Sequence, residues 1–239
     1  MSNPIRDYGF SALPRDPAVI LQGRKNNRNP LPVAVSDIEL PDTPLAKAVL
    51  EYAKKELREE TFNHSMRVFY YGMAIARQQF PDWAVTPETY FVTCLLHDIG
   101  TTDKNIKATL MSFEFYGGMI ALDLLHRQLK APKEQAEGVA EAIFRHQDIG
   151  ESGRITTLGQ LVQLATIFDN MGGHADLVHK GTIEDVVKHY PRHKWSACFA
   201  ATIRQENSLK PWAHTTALGE DDFPNGVIDN KLMAPYDDI

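Results

Sequence analysis

The chain has little cysteine and no long apolar run. Among its 239 residues only Cys94 and Cys198 are cysteines, so a disulfide framework is excluded, and we expect both to be reduced core residues. No stretch of about 18 consecutive apolar residues occurs, which predicts a protein with no membrane partner. The N-terminus MSNPIRDYGF lacks the basic and apolar regions of a secretory signal, and we therefore expect a cytoplasmic protein.

An excess of positive charge is also missing. The net charge is -6 and the pI is about 5.8, with lysines and arginines scattered among acidic residues. This balance argues against a nucleic-acid partner. Neither a GxSxG elbow nor a P-loop is present, which excludes two large enzyme classes.

The positions of the prolines divide the chain. Because proline lacks a backbone donor and restrains its predecessor, residues 1–43 are predicted to form an irregular arm that packs on the domain or on a neighbouring subunit. The prolines of this arm are Pro4, Pro14, Pro17, Pro30, Pro32 and Pro41. A central domain is expected over residues 44–216, and residues 217–239 are predicted to be an irregular acidic tail.

Helical periodicity dominates the central domain, and strand-like alternation is weak. Thr43-Pro44 and Thr86-Pro87 are typical of helix starts, and Gly100 is typical of a helix end. Further helices are predicted near 62–79, 111–129, 133–147, 157–171, 182–189 and 192–206. The predicted fold class is all-α.

Four ionisable residues stand inside these apolar, helix-favouring stretches: His64, the neighbours His97 and Asp98, and Asp169. Burying such groups costs free energy unless something compensates them, and a divalent metal ion is the obvious partner. Imidazoles and carboxylates suit zinc, iron or manganese, and helical proteins commonly build metal sites from facing side chains. We therefore expect these four residues to bind one divalent metal ion.

Taken singly, each of these residues has an ordinary structural explanation. A histidine beside Leu95 and Leu96 is more often a hydrogen-bonded core residue, and Asp169 could cap the turn at Gly172-Gly173. The metal hypothesis depends on the four occurring together.

The order of these residues resembles that of the metal-dependent HD superfamily, whose fold is a helical bundle. A closer resemblance, to the fungal cyanamide hydratases, rests on HDIGTTDKNIKATLMSFEFYGG at 97–118, EAIFRHQDIG at 141–150, LGQLVQLATIFDN at 158–170 and CFAATIRQENSLKPWAHTT at 198–216. It implies an HD-type catalytic domain, a homo-oligomer and a hydro-lyase that converts cyanamide, a small neutral nitrile, to urea. A metal-bound hydroxide would attack the nitrile carbon. Zinc is our first choice of metal, with iron and manganese as alternatives.

The proton donor and the pocket are predicted from residues near the expected ligands. The candidates for acid–base catalysis are Lys104, Asp103, His146 and Glu114, and those for the substrate pocket are Thr101, Thr102, Phe113, Phe115 and Tyr116. Some of these candidates have an alternative explanation: His146 could interact with a helix dipole, the aromatic residues could be ordinary core, and Glu114 could cap a helix.

Two other functions stay open. A phosphohydrolase acting on a nucleotide or another small phosphate ester would use Lys104, Lys107 and Arg145 against phosphate. Some phosphohydrolase relatives carry a glutamate at the position of Thr101, so the sequence departs from them there. A non-catalytic binding module is disfavoured because all four expected ligands are present.

Overall fold

A computed structural model describes residues 3–24 and 29–239. Residues 1, 2 and 25–28 of the predicted arm lie outside the described residues. Within the described ranges, no helix combines the length and the apolar character that crossing a bilayer would require.

The N-terminal arm is more regular than its prolines suggest. It contains α1 (Pro4–Asp7), β1 (Ala12–Pro14) and α2 (Pro17–Gln22), and both helices begin with proline at a first-turn position, where the missing N–H costs nothing. Strand β1 pairs antiparallel with β2 (Arg154–Thr156). The described part of the arm therefore packs on its own domain.

The central domain confirms the predicted all-α class. Its helices are α3 (Pro44–Glu56), α4 (Glu59–Gln79), α5 (Pro87–Leu96), α6 (Asp103–Lys107), α7 (Phe113–Leu122), α8 (Lys133–Phe144), α9 (Thr157–Met171), α10 (Lys180–His189) and α11 (Trp195–Leu209). Helix α4 lies at the centre, against α5 and α9, and buries most of its residues. Two three-residue strands are the only sheet among the described residues.

Helix α7 ends earlier than the periodicity indicates. The predicted helix near 111–129 is α7 followed by a π-helical turn, Asp123–Gln128. The wider turn keeps Leu124 and Leu125 buried, so the apolar pattern continues although the α-helical geometry does not.

The acidic C-terminal segment, residues 219–239, contains one more helix, α12 (Asp222–Ile228). Phe223 and Val227, four residues apart, lie on one face of α12 and pack with Trp195 and Phe199 of α11 in a small second core. The prediction of an irregular tail is therefore wrong for this helix, because the acidic composition concealed its apolar face.

Candidate metal centre

Helices α4 and α5 bring three of the four predicted ligands, His64, His97 and Asp98, towards one point, and α9 places Asp169 behind His64. His64 lies in the buried first half of α4, His97 and Asp98 follow α5 directly, and Asp169 lies near the end of α9. The chain leaves α5 through a 3-10 turn, Ile99–Thr101. A Cβ atom on Gly100 would lie 2.0 Å from the carbonyl oxygen of Phe113, so the turn requires glycine here.

Three side chains meet at distances suited to a shared ion. The Nε2 atoms of His64 and His97 are 3.2 Å apart, and Oδ2 of Asp98 lies 3.3 Å from the His97 Nε2 and 3.6 Å from the His64 Nε2. Neighbouring ligands around an ion with bonds of about 2.1 Å are about 3.0 to 3.4 Å apart. Among the described residues, these three side chains are therefore close enough together to hold one metal ion.

The electrostatics of the group favour a cation. Both carboxylate oxygens of Asp98 are buried and accept no hydrogen bond within the protein. Burial opposes ionisation of Asp98, but the positive charge that His97 carries when its ring is protonated outweighs burial and holds the pKa of the carboxyl below its ordinary range. A buried, ionised carboxylate with free oxygens is costly unless a cation binds it, so the donor set fits a metal ion.

Hydrogen bonds orient the two imidazoles. The Nδ1 atom of His97 donates to the carbonyl oxygen of Cys94 at 2.7 Å, which leaves its Nε2 as the free lone pair. Burial lowers the pKa of His64 to about 4 despite the nearby carboxylate of Asp169, so the ring is neutral at pH 7. The indole of Trp195 stacks on the His64 ring with centroids 4.3 Å apart.

Asp169 lies on the opposite side of the His64 ring from the shared point. Its Oδ2 is 2.7 Å from Nδ1 of His64, not from Nε2. Arg67 donates to both of its oxygens and Arg192 to Oδ1, all within 3.2 Å. These contacts make Asp169 the group that orients His64, while its role as a direct ligand stays a prediction.

His146 is a third histidine whose ring lies beside the cluster of His64, His97 and Asp98. At the end of α8, its Nε2 lies 3.7 Å from Oδ1 of Asp98, and its Nδ1 is 2.7 Å from the carbonyl oxygen of Ile143, to which it donates. Its ring meets those of His97 and Phe113 edge-on, at centroid distances of 5.3 and 5.6 Å. Burial, reinforced by His97, lowers the pKa of His146 and keeps the ring neutral.

A small cavity opens on this cluster. Its volume is ≈ 20 Å³, room for about one water molecule or a molecule of similar width. The residues around it are His97, Asp98, His146, Gln147, Ile149, Thr166, Ile167, Asn170, Met171, Phe199 and Phe223. No lysine or arginine is among these lining residues of the described chain.

Most of the residues that line this cavity were not predicted from the sequence. Phe199 and Phe223 come from α11 and α12, and their apolar character gave no sign that they face a site. The segment LATIFDN contains Thr166 and Asn170 close to Asp169. Because residues at helical spacing from a ligand lie near it, this spacing could have predicted both residues.

The predicted residues after Asp98 lie elsewhere. Thr101 is buried and its hydroxyl donates to the carbonyl oxygen of Asp98 at 2.7 Å. Thr102 caps α6, and Asp103 and Lys104 are exposed at its start. With Thr101, these three residues line a separate cavity of ≈ 230 Å³.

The aromatic residues on either side of Glu114 are also absent from the residues that line the small cavity. Phe113 contacts His146, and Tyr116 is partly exposed. Glu114 is fully buried and accepts a hydrogen bond from Nδ1 of His214 at 2.8 Å. Phe115 stacks on the same imidazole, at a centroid distance of 5.4 Å.

The helical fold and the histidine–aspartate centre define an HD domain protein. The HD domain family model matches residues 61–171, which contain all four predicted ligands. Two curated proteins of Saccharomyces cerevisiae (strain ATCC 204508 / S288c), cyanamide hydratase DDI2 and cyanamide hydratase DDI3, are each 46% identical to the chain over 225 residues, 94% of this chain and 97% of theirs. The chain therefore belongs to the cyanamide hydratase family, whose members are hydro-lyases. The predicted HD-type helical bundle is confirmed.

Proposed function

We propose that this enzyme hydrates cyanamide to urea. The observation that carries the proposal is the small cavity at His97 and Asp98, whose described wall contains no lysine or arginine and therefore favours a small uncharged molecule such as a nitrile over an anion. The 46% identity to yeast proteins named cyanamide hydratase, over nearly the whole chain, supports the same substrate.

We assign the metal to His64 Nε2, His97 Nε2 and the carboxylate of Asp98, with zinc as the first choice and iron or manganese as alternatives. When bound, a divalent ion with an open position lowers the pKa of a coordinated water molecule to about 7 and so supplies a nucleophile at neutral pH. Asp169 orients His64 through Nδ1 or provides a further carboxylate ligand.

His146 is our candidate for moving the proton. Hydration forms a C–O bond at the nitrile carbon, shifts an electron pair to the nitrile nitrogen and requires that nitrogen to gain the proton that water loses. The Nδ1–H of His146 is held by Ile143, so its Nε2 lone pair is available beside Asp98. A neutral imidazole in this place can accept the proton and return it to the nitrogen. The resulting isourea tautomerises to urea.

The other predicted catalytic residues do not line the small cavity. Glu114 is hydrogen-bonded to His214, and its catalytic role stays a prediction. Thr101 holds the backbone that carries Asp98. Asp103 and Lys104 face the separate cavity beside α6, and their catalytic role stays a prediction.

The phosphohydrolase alternative has less support. Arg145 is engaged by Asp148 and Glu141, and Lys104 and Lys107 are exposed outside the small cavity. The described wall of that cavity therefore offers no cation for a phosphate group. Phosphate release from nucleoside monophosphates faster than urea release from cyanamide, with the same metal-loaded protein, would reverse this ranking.

The deciding experiment is urea production by metal-loaded protein. We expect urea from cyanamide, with a rate that falls by at least about 100-fold after chelation or in the His97→Ala and Asp98→Ala variants. His126→Ala is the matched control, because His126 is exposed and outside the cluster. No urea from a sample that contains bound metal would contradict the proposal.

A further inference from the structure

The C-terminal segment, residues 219–239, reaches the back of the candidate metal centre. Asn230 is buried, and its Nδ2 donates to the backbone carbonyl of Asp169 at 3.0 Å. A Cβ atom on Gly172, the left-handed residue that ends α9, would lie 2.6 Å from the Asn230 side chain. The segment therefore lies directly against the end of the helix that carries Asp169.

Asp237 continues this contact through a buried arginine. Its Oδ1 accepts from Nε of Arg192 at 2.8 Å and from the hydroxyl of Ser196 at 3.0 Å. Arg192 is 0% exposed, and its Nη1 donates to Oδ1 of Asp169 at 2.8 Å. A continuous chain of charge-assisted hydrogen bonds thus runs from Asp237 through Arg192 and Asp169 to His64.

The charges of this chain balance only when Asp237 is included. Arg67 and Arg192 are two cations that cannot lose their protons, and Asp169 and Asp237 are the two carboxylates that face them. Without Asp237, Asp169 would be the one carboxylate that faces both arginines. The surplus positive charge would weaken the hold of Asp169 on the His64 Nδ1–H and would repel a divalent cation at Nε2.

We propose that Asp237 is a positioning residue for the metal centre, acting through Arg192 and Asp169 to set the orientation and the electrostatic environment of His64. This inference rests on the metal site of the proposed function. It adds that a residue far outside the 61–171 match to the HD domain tunes metal affinity.

The test is the metal affinity of the purified full chain, measured by competition with a chromophoric chelator for Zn²⁺. We expect Asp237→Asn to weaken binding by about 10- to 100-fold, as losses of groups behind a ligand typically do. Asp237→Glu, which keeps the carboxylate, should recover most of the affinity. Asp238→Asn is the matched control, since it removes the same charge from the exposed neighbouring residue, and it should stay within about twofold of the parent protein.

Thermal unfolding of the metal-free proteins separates positioning from plain stability. If Asp237→Asn lowers the melting temperature but leaves the Zn²⁺ affinity unchanged, the inference is overturned. If Asp237→Asn does not fold, Ser196→Ala decides, because it removes one donor to the same carboxylate and should give a smaller loss of affinity. Unchanged affinity in that variant overturns the inference, whereas a parent protein that binds no metal overturns the proposed function itself.

Discussion

At the scale of single residues, the centre is made of groups whose burial would be unfavourable in isolation. Asp98 has two buried oxygens without hydrogen bonds, and His64 is held neutral by burial. Burying such groups is tolerated when a bound ligand offsets the cost in free energy. For this reason, ionisable residues inside apolar stretches of the sequence predicted a metal site. The partners of Asp169 were not predictable, because Arg67 of α4 and Arg192 of the segment between α10 and α11 reach it only once these parts of the chain have packed against α9.

The pair His214 and Glu114 predicts a pH dependence of stability. The hydrogen bond to Glu114 raises the pKa of His214, so the folded state binds this proton more tightly than the unfolded state. The stabilisation is therefore complete below about pH 6.5, the unfolded value, and is lost as the pH rises through the raised pKa of the folded state.

Denaturant unfolding of metal-free protein at about pH 6 and pH 9 measures this effect. We expect the parent protein to lose more stability over that interval than the His214→Gln variant, which cannot titrate at this position. Equal losses in the two proteins would show that the pair contributes nothing to the pH dependence.

At the scale of helices and turns, the site depends on how α5 ends. The Thr86-Pro87 pair correctly predicted the start of α5, and Gly100 predicted its end a few residues beyond the observed last residue, Leu96. The close approach of Gly100 to Phe113 could not be predicted, because it is a contact with α7 and not a local preference.

Replacing Gly100 by alanine should disrupt this turn. The added methyl group would lie 2.0 Å from the Phe113 carbonyl oxygen, which belongs to a helix backbone and cannot move alone. We expect a loss of about 3 kcal/mol or more in the free energy of unfolding and weaker metal binding, measured by urea denaturation and chelator competition.

Gly23→Ala is the matched control for this substitution. A Cβ atom there meets its nearest neighbour at 3.4 Å, and the residue has a right-handed backbone conformation. A Gly100→Ala protein as stable as Gly23→Ala would contradict the prediction.

The helical periodicity located the main helices of the central domain, often within a few residues of their ends. It failed at the π-helical turn after α7, where the apolar pattern outlasts the α-helix, and at α12, where acidic residues mask two apolar positions. Both failures have one cause: the burial of these residues is decided by distant partners.

At the scale of the whole molecule, the small cavity is assembled from distant parts of the chain. Phe199 of α11 and Phe223 of α12 complete a wall whose polar side comes from the residues that follow α5 and α8 and from α9. These two aromatic residues lie outside the 61–171 region that matches the HD domain model, whereas the other lining residues lie within it.

Shortening Phe223 should relax the selection for small nitriles. We expect Phe223→Leu to raise the rate of hydration of a dialkylcyanamide relative to cyanamide by about tenfold, because the leucine leaves space beside Phe199. Urea and substituted-urea formation would be compared by mass spectrometry.

Ile228→Ala, on the same helix but 50% exposed, is the control and should leave the ratio unchanged. An unchanged ratio in Phe223→Leu would mean that this ring does not limit substrate size.

Helix α9 is held at both ends by residues from opposite ends of the chain. Strand β1 pairs with β2 immediately before α9, and Asn230 lies against its last turn. During synthesis, the second of these contacts can form only after the ribosome has released the residues around Asn230. The last turn of α9, which carries Asp169, therefore acquires this contact only after helices α3 to α11 have been synthesised.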